Sequence, residues 1–171
     1  ASVPKLRSFM DTLAPDVPST RNQAKRIARA MTGHVPAVYA PRTVRSVALR
    51  WQGQVNENAK MVAFSGEIPE MDHNQLVGWL EGGTGCHCRP VVLMPADMRP
   101  TVRRMAEVTL QMLNERGLDP VLVALPGSDL MSNVLQGLAL GDMTSYYLAI
   151  LKGVDPAPVT PIKEFKVRIS Q

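Results

Sequence analysis

The stretch QVNENAKMVAFSGEIPEMDHNQLVGW, residues 54–79, gathers Glu57, Lys60, Glu67, Glu70, Asp72 and His73 around one short apolar run. Carboxylates and an imidazole gathered this way are the groups from which proton-transfer chemistry is built, and they are also what an ordinary solvated loop contains. Glu57 falls just past an apolar stripe formed by Val44, Val47, Ala48, Trp51 and Val55. It therefore stands at a helix C-terminus, in the field of the negative end of the dipole. A base held there suits abstraction of a proton next to a carbonyl. His73 reads as the opening residue of a short helix, HNQLVGWL, and a histidine can shuttle protons near neutral pH. Lys152 is the third candidate, closing the almost wholly apolar segment NVLQGLALGDMTSYYLAILKG. Thr144 and Ser145 lie about two turns earlier on a similar face. Each has a plain alternative: a solvated glutamate, a polar helix cap, a lysine satisfying the last helical carbonyls. Residue type and spacing alone leave both readings open.

Other chemistries are poorly supported. Cys86 and Cys88, in GTGCHCRP, are too close for an ordinary intrachain disulfide, and no second Cys/His pair stands at zinc-ligand spacing. That usage fits a reducing cytoplasm. A formal net charge of +4 permits an anionic ligand without requiring one. The densest basic run, RNQAKRIAR, spreads Arg21, Lys25, Arg26 and Arg29 around an amphipathic helix and reads as a solvated face. No aromatic platform accompanies it, so a nucleic-acid partner is not expected.

The elements that must hold these residues belong to one domain, residues 1–171, with a leading helical segment over 1–34 and a core over 35–171. Apolar residues make up 45% and charged residues 20%, a globular composition. The greasiest region, Val134 to Leu151, is interrupted by Gln136, Asp142, Thr144 and Ser145, so no membrane span is expected. ASVPKLRSFM has no apolar run of the signal-peptide kind and no initiator Met, which points to a natural protein extending upstream.

Four apolar runs, HVPAVYAP, MVAFSG, RPVVLMPA and PVLVALPG, read as buried strands. Between them lie a helix starting at Thr43 as N-cap, the short helix opened by His73, and a helix from about Pro100 to Arg116 that stops at Gly117. A long helix then begins near Ser128 and ends at KGVDPAP. Strands alternating with helices make an α/β fold, a three-layer doubly wound parallel sheet flanked by helices on both faces. Ligands of such sheets collect at the carboxyl ends of the strands, near the point where strand order reverses. Neither G-x-G-x-x-G nor G-x-x-x-x-G-K-[ST] is present, which argues against a dinucleotide cofactor and a P-loop.

RWQGQVNENAK, followed by AFSGEIPEMDHNQLVGW and GDMTSYYLAILKGVDPAPVTPIKEFK, resembles the C-terminal SIS (sugar isomerase) domain of the bifunctional phosphoglucose/phosphomannose isomerase family. The likeness extends to LAPDVPSTRNQAKRIARAMTGHVPAVYA and so covers nearly the whole chain. It implies a flavodoxin-like fold and interconversion of glucose 6-phosphate or mannose 6-phosphate with fructose 6-phosphate, a step of glycolysis and gluconeogenesis. By the resemblance, Glu57 is the base that moves a proton between C1 and C2 through a cis-enediol. His73 matches a residue implicated in ring opening that reaches into the neighbouring subunit's site. Lys152 matches a lysine placed near the ring oxygen and O1. Thr144 and Ser145 cover the region of a hydroxyl residue linked to mannose tolerance. No nicotinamide cofactor and no metal is implied, and the expected assembly is a homodimer with shared active sites.

This sequence departs from the family's pattern in three ways, one being the segment LEGGTGCHCRP, which is richer in Gly and Cys than that pattern. Where NHNE is usual it reads DHNQ, so Asp72 and Gln75 change the charge distribution around His73. The Ser/Thr-rich phosphate loops belong to the family's N-terminal SIS domain, and the nearest segment here, PGSDLMSN, is explained by capping through Ser128. The expectation is half of a split site, completed by a missing N-terminal SIS domain. The alternative is a sugar-phosphate-binding domain with a regulatory or assembly role and no catalysis.

Overall fold

The computed structural model describes residues 2–82 and 87–170; Cys86 lies outside them. Two helices lead, α1 (Ser2–Asp11) and α2 (Gln23–Met31). Strand β1 (Val35–Pro41) then feeds helix α3 (Arg45–Asn58), and strand β2 (Phe64–Ile68) is followed by the short helices α4 (Glu70–His73) and α5 (Gln75–Glu81). Strand β3 (Cys88–Pro95), helix α6 (Pro100–Glu115), strand β4 (Val121–Leu125), the long helix α7 (Leu130–Lys152) and a final helix α8 (Thr160–Ile169) complete the order. All strand pairs are parallel, in the order β2-β1-β3-β4, with Ala37 opposite Phe64, Val38 opposite Val91, and Leu93 opposite Val123.

Because strand side chains alternate, one sequence of apolar residues builds two cores. Val38, Ala40, Val91, Leu93, Val123 and Leu125 join Ile27, Trp51 and Leu148, from α2, α3 and α7, on the first face. Ala37, Tyr39, Val92 and Met94 join Met71, Ala106 and Leu110, from α4 and α6, on the second. The doubly wound parallel sheet read from the sequence is what the structure has.

Several local expectations need correction. MVAFSG is not a buried strand: the strand is FSGEI, at a sheet edge, with Phe64 exposed and only Ile68 fully buried. The second face is not fully covered either, since Leu122 and Ala124 of β4 are exposed beyond the reach of α6. Thr43 does not cap α3. A 3₁₀ turn over Arg42–Val44 comes first, and Val44 occupies the cap position without a side-chain bond. Ser128 does not cap α7. Asp129 does, its Oδ1 accepting from the Ser132 backbone N–H at 2.9 Å, while the Ser128 hydroxyl donates to Asp129. A carboxylate also suits the positive end of the dipole better than a hydroxyl.

Helix α8 has no counterpart in the pattern read from the sequence. The described structure buries none of its residues; Ile162, Phe165, Val167 and Ile169 are exposed along it.

Candidate functional site

The contacts that position Glu57 and Lys152 begin well away from either, where α3 crosses α7. Trp51 is fully buried, and its indole Nε1–H donates to the Gly137 carbonyl at 2.7 Å. A Cβ on Gly141 would lie 2.3 Å from the Trp51 ring, and one on Gly137 would lie 2.7 Å from Val47, so only glycine allows the two helices this approach. From there the contacts climb in the same direction on both helices. Gln54 Nε2 donates to Asp142 at 2.7 Å, Asn58 Nδ2 donates to Ser145 Oγ at 2.8 Å, and Lys152 Nζ donates to the Ala59 carbonyl at 2.9 Å. Helices α3 and α7 therefore run parallel, and both end at one corner, at the amino edge of the sheet.

That corner holds two of the three charged candidates. Glu57 is exposed in the last turn of α3. Lys152 is exposed at the end of α7 and bridges the Ala59 and Lys60 carbonyls, at 2.9 and 3.2 Å, just past the end of α3. Gly153, with φ of 69°, turns the chain out of α7 immediately afterwards. Lys60, itself at φ of 50°, donates its ammonium to the carbonyls of Glu57 and Pro156 and clips the outgoing segment to the corner. Of the hydroxyl pair, Ser145 is buried between Asn58 and its own helix, donating to the Asp142 carbonyl at 2.8 Å. Thr144 is buried as well, and its Oγ1 has no hydrogen-bond partner. Neither hydroxyl is open to solvent in this form of the chain.

His73 is elsewhere. It follows the carboxyl end of β2, and its helix belongs to the second face of the sheet, whereas Glu57 and Lys152 belong to the first face and the opposite edge. It does not open a helix, as the sequence suggested. It is the last residue of the single turn α4, and Asn74 separates it from α5. Being exposed, it is presented outward.

The two unusual neighbours of His73 have structural work. Gln75 Oε1 accepts from the Tyr39 hydroxyl at 2.7 Å, and Tyr39 in turn accepts from Trp79 Nε1 at 3.0 Å. Asp72 Oδ1 accepts from Thr109 Oγ1 on α6 at 2.6 Å, while its Oδ2 is buried without a partner. Burial raises the Asp72 pKa above the ordinary carboxylate value, and the Thr109 hydrogen bond opposes that in part. The DHNQ pattern thus anchors the turn that carries His73 to the second core.

Residue reasoning assigned no role to the asparagines beside Glu57. Asn56 Oδ1 accepts from the Ala63 N–H at 2.9 Å and fixes the approach to β2, and Asn58 ties α3 to α7. Their signal was present: short amides crowd a helix C-terminus, where backbone groups lack partners. Among the described residues no group of three or more His, Cys, Asp or Glu is arranged to hold a metal ion. No described helix is long and apolar enough to cross a membrane.

Comparison with known proteins places the chain in a family. Residues 20–169 match the family described as bacterial phospho-glucose isomerase C-terminal SIS domain. A bifunctional phosphoglucose/phosphomannose isomerase of Aquifex aeolicus is 30% identical over 98% of this chain and 52% of its own length. One from Thermoplasma acidophilum is 32% identical over 80% of this chain and 42% of its own. The crystal structure of a glucose-6-phosphate isomerase-like protein from Thermus thermophilus superposes with a TM-score of 0.71 at 24% identity, covering 91% of this chain and 52% of that one. The chain spans about half the length of these relatives.

Proposed function

The chain belongs to the bacterial phospho-glucose isomerase C-terminal SIS domain family, and from that premise we propose that it is the acid–base half of a two-domain isomerase. The substrates are glucose 6-phosphate and mannose 6-phosphate on one side and fructose 6-phosphate on the other. Coarsely, it is a sugar isomerase domain of the phosphoglucose/phosphomannose isomerase kind. The finer reading assigns Glu57 as the base, Lys152 as the cation beside the sugar oxygens, and His73 as a group offered to the site of a second copy.

The observation that carries this reading is the parallel packing of α3 on α7, which sets Lys152 Nζ 2.9 Å from the Ala59 carbonyl, two residues beyond Glu57. A carboxylate and an ammonium at one exposed corner are what aldose–ketose isomerisation needs. In the open-chain aldose the Glu57 carboxylate takes the C2 proton as O1 gains one, giving the cis-enediol. Return of the proton to C1, with loss of the O2 proton, yields the ketose. The ammonium stabilises the negative charge that develops on oxygen during both transfers. The phosphate grip comes from the other half of the protein. His73, on the far side of the sheet, cannot serve the same corner, which supports its action in a neighbouring copy.

The test is turnover of fructose 6-phosphate by the full-length protein, with glucose 6-phosphate and mannose 6-phosphate measured separately. Glu57→Gln is expected to lower kcat by about 10²–10⁴-fold while substrate still binds. Undiminished turnover by that variant would remove Glu57 as the base. Binding without turnover in the unmodified protein would favour a non-catalytic sugar-phosphate sensor.

A further inference from the structure

At the carboxyl ends of β1, β2 and β3, opposite the Glu57–Lys152 corner, lies a cleft of about 820 Å³. This is where strand order reverses: the chain leaves β1 for β2 on one side and resumes at β3 on the other. The volume is within the range of small-molecule sites. Ile68, Met98, Val102 and Leu130 give it an apolar wall.

Its two arginines are exposed and left available. Arg42 and Arg99 both line the cleft, and among the described residues neither guanidinium has a hydrogen-bond or ion-pair partner. The carboxylates that share the cleft are each held through one oxygen. Asp97 Oδ1 accepts from Asn133 Nδ2 at 2.7 Å, Glu70 Oε1 accepts from Asn74 at 3.4 Å, and Glu67 Oε2 faces Arg45 at 3.8 Å. Asn133 is fully buried, and the turn at Gly127 sits so close to it that a Cβ there would lie 2.4 Å from its backbone nitrogen. Asp97 is thus oriented by a buried amide.

We propose that this cleft is a second binding site, separate from the Glu57–Lys152 corner, for a phosphate monoester whose body carries hydroxyl groups. Two unpaired guanidiniums match the planar, multidentate recognition of phosphate. Carboxylate oxygens left open by Asp97 and Glu70 accept from hydroxyls, and the apolar wall covers the body of the ligand. Sugar phosphates and nucleotides both have this chemistry. The proposal does not depend on which reaction the other corner performs.

The test uses calorimetric titration of the full-length protein with inorganic phosphate, glucitol 6-phosphate and adenosine 5′-monophosphate, each at millimolar concentration. At least one ester is expected to bind about tenfold tighter than inorganic phosphate, and the stronger of the two identifies the source. The double variant Arg42→Ala/Arg99→Ala should weaken that binding by about tenfold or more and leave turnover of fructose 6-phosphate unchanged, whereas Glu57→Gln should leave it intact. Val102→Glu, which puts a negative charge into the apolar wall, should give the same loss. Esters that bind no better than phosphate, or binding that survives both cleft variants, would overturn the proposal. Ester binding that fructose 6-phosphate displaces in the unmodified protein and in both cleft variants alike would assign it to the other corner and overturn it equally. If turnover proves absent in every protein, the titrations still decide this site.

Discussion

Asp72 shows how a residue beside a candidate site can be tied to stability instead of chemistry. Its carboxylate is part-buried on Thr109, and desolvation raises its pKa above the unfolded value of 3.8. A raised carboxylate pKa means that the folded state binds its proton more tightly than the unfolded state does. The stabilisation is therefore present at low pH and is lost as pH rises from the unfolded pKa through the folded one. At neutral pH the charged form is a cost. Asp72→Asn is accordingly expected to raise the denaturant midpoint at pH 7 and to flatten this part of the pH dependence on the alkaline side of pH 4. A lowered midpoint at pH 7 would mean that the Thr109 bond needs a carboxylate. Glu57 and Lys152 behave differently: both are exposed, so their replacement should be felt in turnover first.

The two-helix pair α3 and α7 is the element on which the candidate site depends. Its spacing is set by Gly137 and Gly141 under Val47 and Trp51, about two turns below Glu57. Gly141→Val would drive a branched side chain into a fully buried indole, costing about 1–3 kcal/mol of stability by overpacking. It should also lower turnover by more than the unfolded fraction explains, because Glu57 and Lys152 ride on opposite members of the pair. Urea titration followed by tryptophan fluorescence, with kcat measured below the transition, separates the two effects. An unchanged kcat would show that the corner tolerates a wider gap.

For the whole molecule the consequence is that no single copy of this chain brings His73 to Glu57. The sheet lies between them, and the exposed apolar residues of β4 and α8 mark surface that the described fold leaves uncovered. Mixing full-length Glu57→Gln with full-length His73→Ala tests whether copies share sites. If they do, half the dimers formed at equal ratio are mixed, and each mixed dimer has one intact site, so activity should recover to about a quarter of the unmodified level. Absence of recovery after confirmed subunit exchange would confine His73 to its own copy or to a structural role.

Much of this was legible in the sequence, because apolar period and chain punctuation are local properties. The runs around Val38, Val91 and Val123 specified strands, Gly117 and Gly153 specified helix ends, and alternation specified a parallel sheet with two cores. Type and spacing left Glu57, His73 and Lys152 as candidates with plain structural alternatives, and only the resemblance to a family attached roles to them. Which of them meet was not legible, since that depends on helix direction and on contacts between residues some ninety positions apart. Capping was misread for a related reason. Ser128 and Asp129 both have capping side chains, and only the turn geometry decides which reaches the Ser132 N–H. The edge position of β2, the solvent-facing residues of β4, the hydrogen bonds that occupy Asp72 and Gln75, and the cleft between Arg42 and Arg99 all arise from packing between distant segments, and so only the tertiary structure decided them.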